Sequence, residues 1–181
     1  MKKDLVIFDG SNFYHGSKNL SPETHLTNFD YNCLVETITG SKDFKIEYCV
    51  GEIRQERNNP RSKVLYAQQQ SLFYNLEKQK IKVKKGFMLK RNDEYDEKGV
   101  DVQIAIDIVK GAIKNEYDKC FVISSDTDIL PAILDAKVEG KQIIYVGFEN
   151  FISRAMKANC SKTILITKKT IQSCSKRKGG L

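Results

Sequence analysis

Leu5-Val6-Ile7-Phe8-Asp9-Gly10-Ser11-Asn12 is an unbroken apolar run that stops at an acid, a glycine, a hydroxyl and an amide. It reads as a buried strand whose carboxyl end carries polar side chains, the place where open α/β sheets bind ligands. Outward from it, further short β-branched runs lie at 46–50, 81–87, 120–124, 142–146 and 163–166. Segments of helical periodicity at 31–39, 61–79, 100–114, 129–139 and 152–158 separate them. Strand runs alternating with helices are the mark of βαβ units, so the expected class is α/β with a mainly parallel sheet and right-handed crossovers. Pro60 and Pro131 fall at helix starts, where the missing N–H costs least. Stretches 20–28 and 90–98 lack apolar periodicity and read as loops.

The chain has 181 residues, the size of one ordinary domain, with 40% hydrophobic and 29% charged residues. We place that domain at 1–170 and expect a disordered basic tail at 171–181, ending Ser175-Lys176-Arg177-Lys178-Gly179-Gly180-Leu181. Lys and Arg total 30 against 23 Asp and Glu, a net charge of +7 that favours a polyanionic partner, nucleic acid first. The five cysteines, Cys33, Cys49, Cys120, Cys160 and Cys174, form an odd set without a C-x-x-C pair. They suggest neither a disulfide framework nor a thiolate zinc site, and a reducing compartment fits. The opening apolar run is too short for a secretory or membrane-spanning segment, so the expected location is cytoplasmic.

Three acidic segments carry the chemistry. An isolated Asp9-Gly10 is more often a helix cap and turn than a site. Lys98-Gly99-Val100-Asp101 leads into the apolar helix Val102-Gln103-Ile104-Ala105-Ile106-Asp107-Ile108-Val109, and Asp101 stands above Ile104, Ala105, Ile108 and Ala112. By itself Asp101 is explained as compensation of the helix dipole, and Asp107 as a solvated or helix-pairing acid. Phe121-Val122-Ile123-Ser124-Ser125-Asp126-Thr127-Asp128-Ile129 is the most specific segment. Capping needs one small oxygen-bearing side chain, and this strand end supplies five in a row.

With the strands of Asp9 and Asp126 adjacent at the point where strand order reverses, these carboxylates would cluster and repel unless a cation joins them. Hard oxygen ligands suit Mg²⁺ or Mn²⁺, and such ions support hydrolysis of a phosphodiester. Covalent catalysis is disfavoured, because His15 and His25 fall in expected loops at no recognisable spacing from a Ser or Cys nucleophile.

Together, Asp9-Gly10-Ser11-Asn12, Lys98-Gly99-Val100-Asp101-Val102 and Ser124-Ser125-Asp126-Thr127-Asp128 resemble the NYN domain family of PIN-like ribonucleases, including its LabA-like group, from about residue 3 to about 166. The resemblance implies a three-layer αβα Rossmann-like sandwich with strand order 3-2-1-4-5. It also implies a Mg²⁺- or Mn²⁺-dependent ribonuclease. By motif, Asp9, Asp101, Asp126 and Asp128 become metal ligands and catalytic acids, Asn12 orients a water or phosphate, and Ser11, Ser124 and Ser125 lie near the substrate. Ser125 stands where a glycine is common and Ile129 where an aromatic is common.

Basic residues concentrate in 78–91, and with Lys98 and Arg54 they form a candidate phosphate track in which Lys82 and Lys84 are central. The same lysines also protect an edge strand against aggregation. The expected partner is RNA, single-stranded or structured, with no membrane; a homodimer stays open. Two competing readings are a catalytically silent RNA-binding or scaffold protein and a phosphohydrolase of small esters. A dinucleotide-binding oxidoreductase fails, because G-x-G-x-x-G does not follow the first strand.

Overall fold

A computed structural model describes residues 2–57, 59–91 and 94–175. Seven strands, β1 (Asp4–Asp9), β2 (Phe44–Glu52), β3 (Lys82–Arg91), β4 (Glu94–Lys98), β5 (Lys119–Ile123), β6 (Gln142–Phe148) and β7 (Lys162–Ile166), form one sheet in the order β4-β3-β2-β1-β5-β6-β7. All neighbours pair in parallel except β3 and β4. The observed order differs in detail from the expected 3-2-1-4-5: the inner strands β3-β2-β1-β5-β6 follow that arrangement, but an antiparallel strand, β4, is inserted after β3 at one edge and β7 is added at the other.

Helices cover both faces: α1 (Gly10–Leu20), α2 (Tyr31–Thr39), α3 (Pro60–Lys78) and α7 (Lys168–Cys174) on one, α4 (Val100–Ile113), α5 (Leu130–Val138) and α6 (Arg154–Asn159) on the other. The alternation of β1 shows how the layers are built. Val6 and Phe8 join the core beneath the first set of helices, and Leu5 and Ile7 the core beneath the second. No helix among the described residues is long and apolar enough to cross a membrane.

Four expectations change. The stretch 90–98, read as a loop, contains the end of β3 and the whole of β4, whose charged sequence Glu-Tyr-Asp-Glu-Lys hides a strand that pairs on one side only. His15 lies on α1 rather than in a loop, because Asp9 caps a helix starting at Gly10. The folded unit runs past the boundary drawn at 170: α7 crosses it, Ile171 and Cys174 are buried, and Ser175 bridges to Phe29. The rest of the expected tail, 176–181, lies outside the described residues.

The fourth change concerns the thiols. Cys33 on α2 and Cys174 on α7 are bonded to each other across 141 residues of chain, leaving Cys49, Cys120 and Cys160 free. Sequence spacing could not show this pair, since α2 and α7 meet only in the folded layer. Alkylation of the denatured, unreduced protein should therefore modify three of its five cysteines by mass. Reduction should lower the unfolding free energy by about 2–5 kcal/mol, because so long a loop strongly restricts the unfolded chain.

Candidate active site

Asp9 is the last residue of β1 and the cap of α1, so the sheet and a helix together fix its carboxylate. The Asn12 backbone N–H donates to its Oδ1 at 3.0 Å, and Asn12 Nδ2 donates to its Oδ2 at 3.0 Å. Ser124 Oγ, at the end of β5, donates to the same Oδ2 at 2.8 Å. The close approach of α1 to the sheet needs glycine: a Cβ on Gly10 would lie 2.7 Å from Tyr48 Cε1 and 2.9 Å from the Cys49 carbonyl oxygen.

The capping explanation of Asp9 therefore holds, and a site is built on the same residue. Asn12 Oδ1 also accepts from the Ser125 backbone N–H at 3.1 Å, which ties the β1 turn to the β5 turn. Ser124 Oγ accepts from the Asp126 N–H at 3.1 Å, and Asp126 Oδ1 accepts from the Asp128 N–H at 2.9 Å. None of these side chains caps α5, whose cap position is Ile129, so helix capping does not account for the oxygen-rich segment. Ser125, standing in place of a glycine, finds its own partner: its hydroxyl lies 2.9 Å from that of Tyr145, which accepts from the Ser153 N–H. Ile129 is buried in the core beneath α4 and α5.

Glu97 is the residue that sequence reasoning missed. It sits on β4, opposite Met88, in the stretch read as a loop. Ser11 Oγ donates to Glu97 Oε2 at 2.5 Å, and the Gly51 N–H donates to Oε1. A side chain on Gly51 would collide with Met88 and Glu97, so the glycine lets the carboxylate cross to the end of β1. Its signal in the sequence is only its place four residues before Asp101.

The electrostatics show that the carboxylates belong together. Burial pushes the Asp9 carboxyl up; hydrogen bonds from Asn12 and Ser124 oppose this, and the charge of Glu97 adds to it. Asp101, in the first turn of α4 behind left-handed Gly99, is pushed up to about 6 by burial and then by the charges of Asp126, Asp9, Glu97 and Asp128. Every charge acting on Asp101 in that set is another carboxylate. As the side chains stand, no three His, Cys, Asp or Glu among the described residues converge on a single ion position. The donor chemistry nevertheless fits a hard divalent cation, which takes carboxylate oxygens and completes its shell with water. Asp9, Asp101, Asp126 and Asp128, with Glu97, are the residues that could hold one.

The expected phosphate track divides. Arg54 stands exposed just after β2, at the carboxyl end of the sheet, and half-buried Lys98 ends β4, 3.8 Å from Asp96. Lys84 is committed elsewhere: its ammonium lies 2.8 Å from Glu47 and 2.5 Å from Asp107, with only 15% of the side chain exposed. It acts in an ion-pair network beneath α4, which removes it from the track and replaces the solvated reading of Asp107. Lys82 is exposed two residues further from the site, on a line with Glu47.

Residues 5–167 match the model of the NYN domain family. No curated protein matches the chain. A crystal structure of a protein of unknown function from Vibrio parahaemolyticus has a similar fold, with a TM-score of 0.67 and 18% identity over 91% of this chain and 93% of that one. The match to the family spans all three acidic segments and nearly the whole sheet, and the chain accordingly belongs to the NYN domain family, within the PIN-like ribonuclease superfamily.

Proposed function

We propose that the protein is a ribonuclease that hydrolyses RNA phosphodiester bonds at the carboxyl edge of β1 and β5, using Mg²⁺ or Mn²⁺ held by Asp9, Asp101, Asp126 and Asp128. The observation that supports this reading is the gathering of acids around Asp101, whose carboxyl is pushed up to about 6 by burial and then by the charges of Asp126, Asp9, Glu97 and Asp128. A folded protein retains such a cluster at a cost, and a divalent ion removes that cost. When bound, the ion supplies a water of lowered pKa and charge for the leaving oxygen.

The protein's own groups do the positioning. Asn12, held at both ends of its amide by Asp9 and Ser125, keeps the two strand ends in register. Ser124 fixes the rotamer of Asp9. Ser11 and Gly51 hold Glu97 beside the cluster, where it adds negative charge and strengthens cation binding. The net charge of +7 draws the polyanionic strand toward a site that is itself acidic, and Arg54 and Lys98 are the proposed phosphate contacts.

The test is cleavage of labelled single-stranded, hairpin and transfer RNAs in Mn²⁺, Mg²⁺ or EDTA, comparing wild type with Asp126→Asn. Cutting that needs the metal and disappears in the variant is the expected result. Equal RNA binding by both proteins with no cutting in any metal would replace this reading by that of an RNA-binding scaffold.

A further inference from the structure

A cleft of about 550 Å³ opens beside the acidic cluster, between α1 and α3 and above β2. Its size lies in the ~300–1,000 Å³ range of small-ligand sites. It begins where the acids end: Gly10 and Ser11 line it, and the Ser11 hydroxyl is the one that holds Glu97. Leu65, Gln68, Gln69 and Leu72 present one stripe of α3 to it at helical spacing, and Tyr14 and His15 face it from α1. His25 stands at its end.

Two features separate this cleft from an accidental gap. Its base is fixed: the Gln69 amide, buried, accepts from the Ile53 N–H and donates to the Gly51 carbonyl, both at 2.8 Å. Its walls, in contrast, leave recognition groups unspent. Tyr14 is 48% exposed and Leu65 38% exposed, and Gln68 is also exposed. None of the lining residues is acidic, although the neighbouring cluster consists of carboxylates. Lys18 closes one wall by donating to the carbonyls of Pro22 and Thr24.

We infer that this cleft is a nucleoside subsite, which takes the base and ribose of one unpaired nucleotide of the strand whose neighbouring phosphate lies at the carboxylates. The inference rests on the ribonuclease reading for the position of that phosphate. An aromatic face, apolar walls and one free side-chain amide are what a splayed base requires: stacking for its plane and hydrogen bonds for its edge. Tyr14 supplies the stacking face, Gln68 the edge contact, and His15 and His25 donors for the ribose or the next phosphate. A paired base cannot enter, because its edge is already used and its faces are covered by neighbours.

The experiment uses short single-stranded RNAs in which one abasic residue is moved along the strand, cut by wild type, Tyr14→Ala and Gln68→Ala in Mn²⁺. Both substitutions fall on exposed helical positions and leave the core intact. At one position next to the cut, loss of the base should raise the wild-type KM about tenfold, the size of one base–aromatic stack. The same loss should add nothing in Tyr14→Ala. In parallel, AMP and UMP titrated into metal-free protein should move the NMR signals of Tyr14, His15, His25 and Gln68. Normal cutting with a flat abasic series and unchanged KM in both variants would overturn the subsite and leave the nuclease. Shifts in the cleft without any cutting would keep the subsite and overturn the nuclease. Neither cutting nor shifts would remove both.

Discussion

Replacing Asp101 by Asn is expected to abolish metal-dependent RNA cleavage and to make the metal-free protein more stable. Loss of groups that merely orient metal ligands costs about 10–100-fold, so loss of a carboxylate proposed to bind the metal directly should exceed about a hundredfold in kcat/KM. The stability gain follows from linkage. In the unfolded chain Asp101 ionises near its ordinary value of 3.8, and in the fold not until about 6. Between those values the folded state binds the proton more tightly, so the metal-free protein loses stability as the pH rises from about 4 through 6. Above 6 that loss is complete, and Asn, which carries no charge, does not suffer it. Allowing for solvent screening of a partly exposed group, the gain at pH 7 is about 1–2 kcal/mol. Thermal unfolding in EDTA at pH 4.5 and 7 checks it: the variant should be the more stable only at the higher pH. An equal Tm at both would mean that neither burial nor the neighbouring acids raise the Asp101 carboxyl. If the proposed metal site is right, saturating Mn²⁺ should reverse the order, because only the wild type retains the full proposed ligand set.

The second large effect is expected far from the reaction. Lys84→Met should destabilise the protein by about 3 kcal/mol at neutral pH, the scale for removing one partner of a buried ion pair. Glu47 is almost wholly buried, between Lys84 at 2.8 Å and Lys45 at 3.0 Å. Burial pushes its carboxyl up, and the hydrogen bonds and charges of the two lysines outweigh this and bring it below the ordinary value. A depressed carboxyl contributes stability above its unfolded value, and that stability is lost as the pH falls through the folded value. The cost of Lys84→Met should therefore shrink in urea unfolding at acid pH, where Glu47 takes up a proton. Lys45 remains in the variant, which holds the estimate below the upper end of the range. Glu47→Gln added to Lys84→Met should recover part of the loss. A cost below about 1 kcal/mol at pH 7 would place the network with ordinary surface pairs. Because Asp107 anchors α4 through Lys84, the variant should also loosen the helix that carries Asp101.

The clearest elements in the sequence were those whose local pattern and tertiary role coincide. The buried runs of β1 and β5 are apolar at nearly every position, and each ends abruptly in acids and hydroxyls. For that reason Asp9, Asp126 and Asp128 stood out as candidates, and Asp101 stood out as the one acid in the first turn of an apolar helix. Glu97 could not be read: β4 is an edge strand of charged residues, with no apolar face to give it a period, and its carboxylate reaches the site only across Gly51. Lys84 misled for a related reason. Alternation correctly set it on one face of β3, but that face is covered by α4, and what covers a face depends on residues remote in the chain.

By itself, then, the amino-acid sequence determined the α/β class and the family and marked the four aspartates as candidates, because each is written in the periodicity and endings of short segments. The tertiary structure alone decided the fifth acid, the Cys33–Cys174 bond, the buried task of Lys84 and the cleft beside Tyr14. Each of these depends on two elements distant in sequence meeting in space, and local pattern has no means of recording such a meeting.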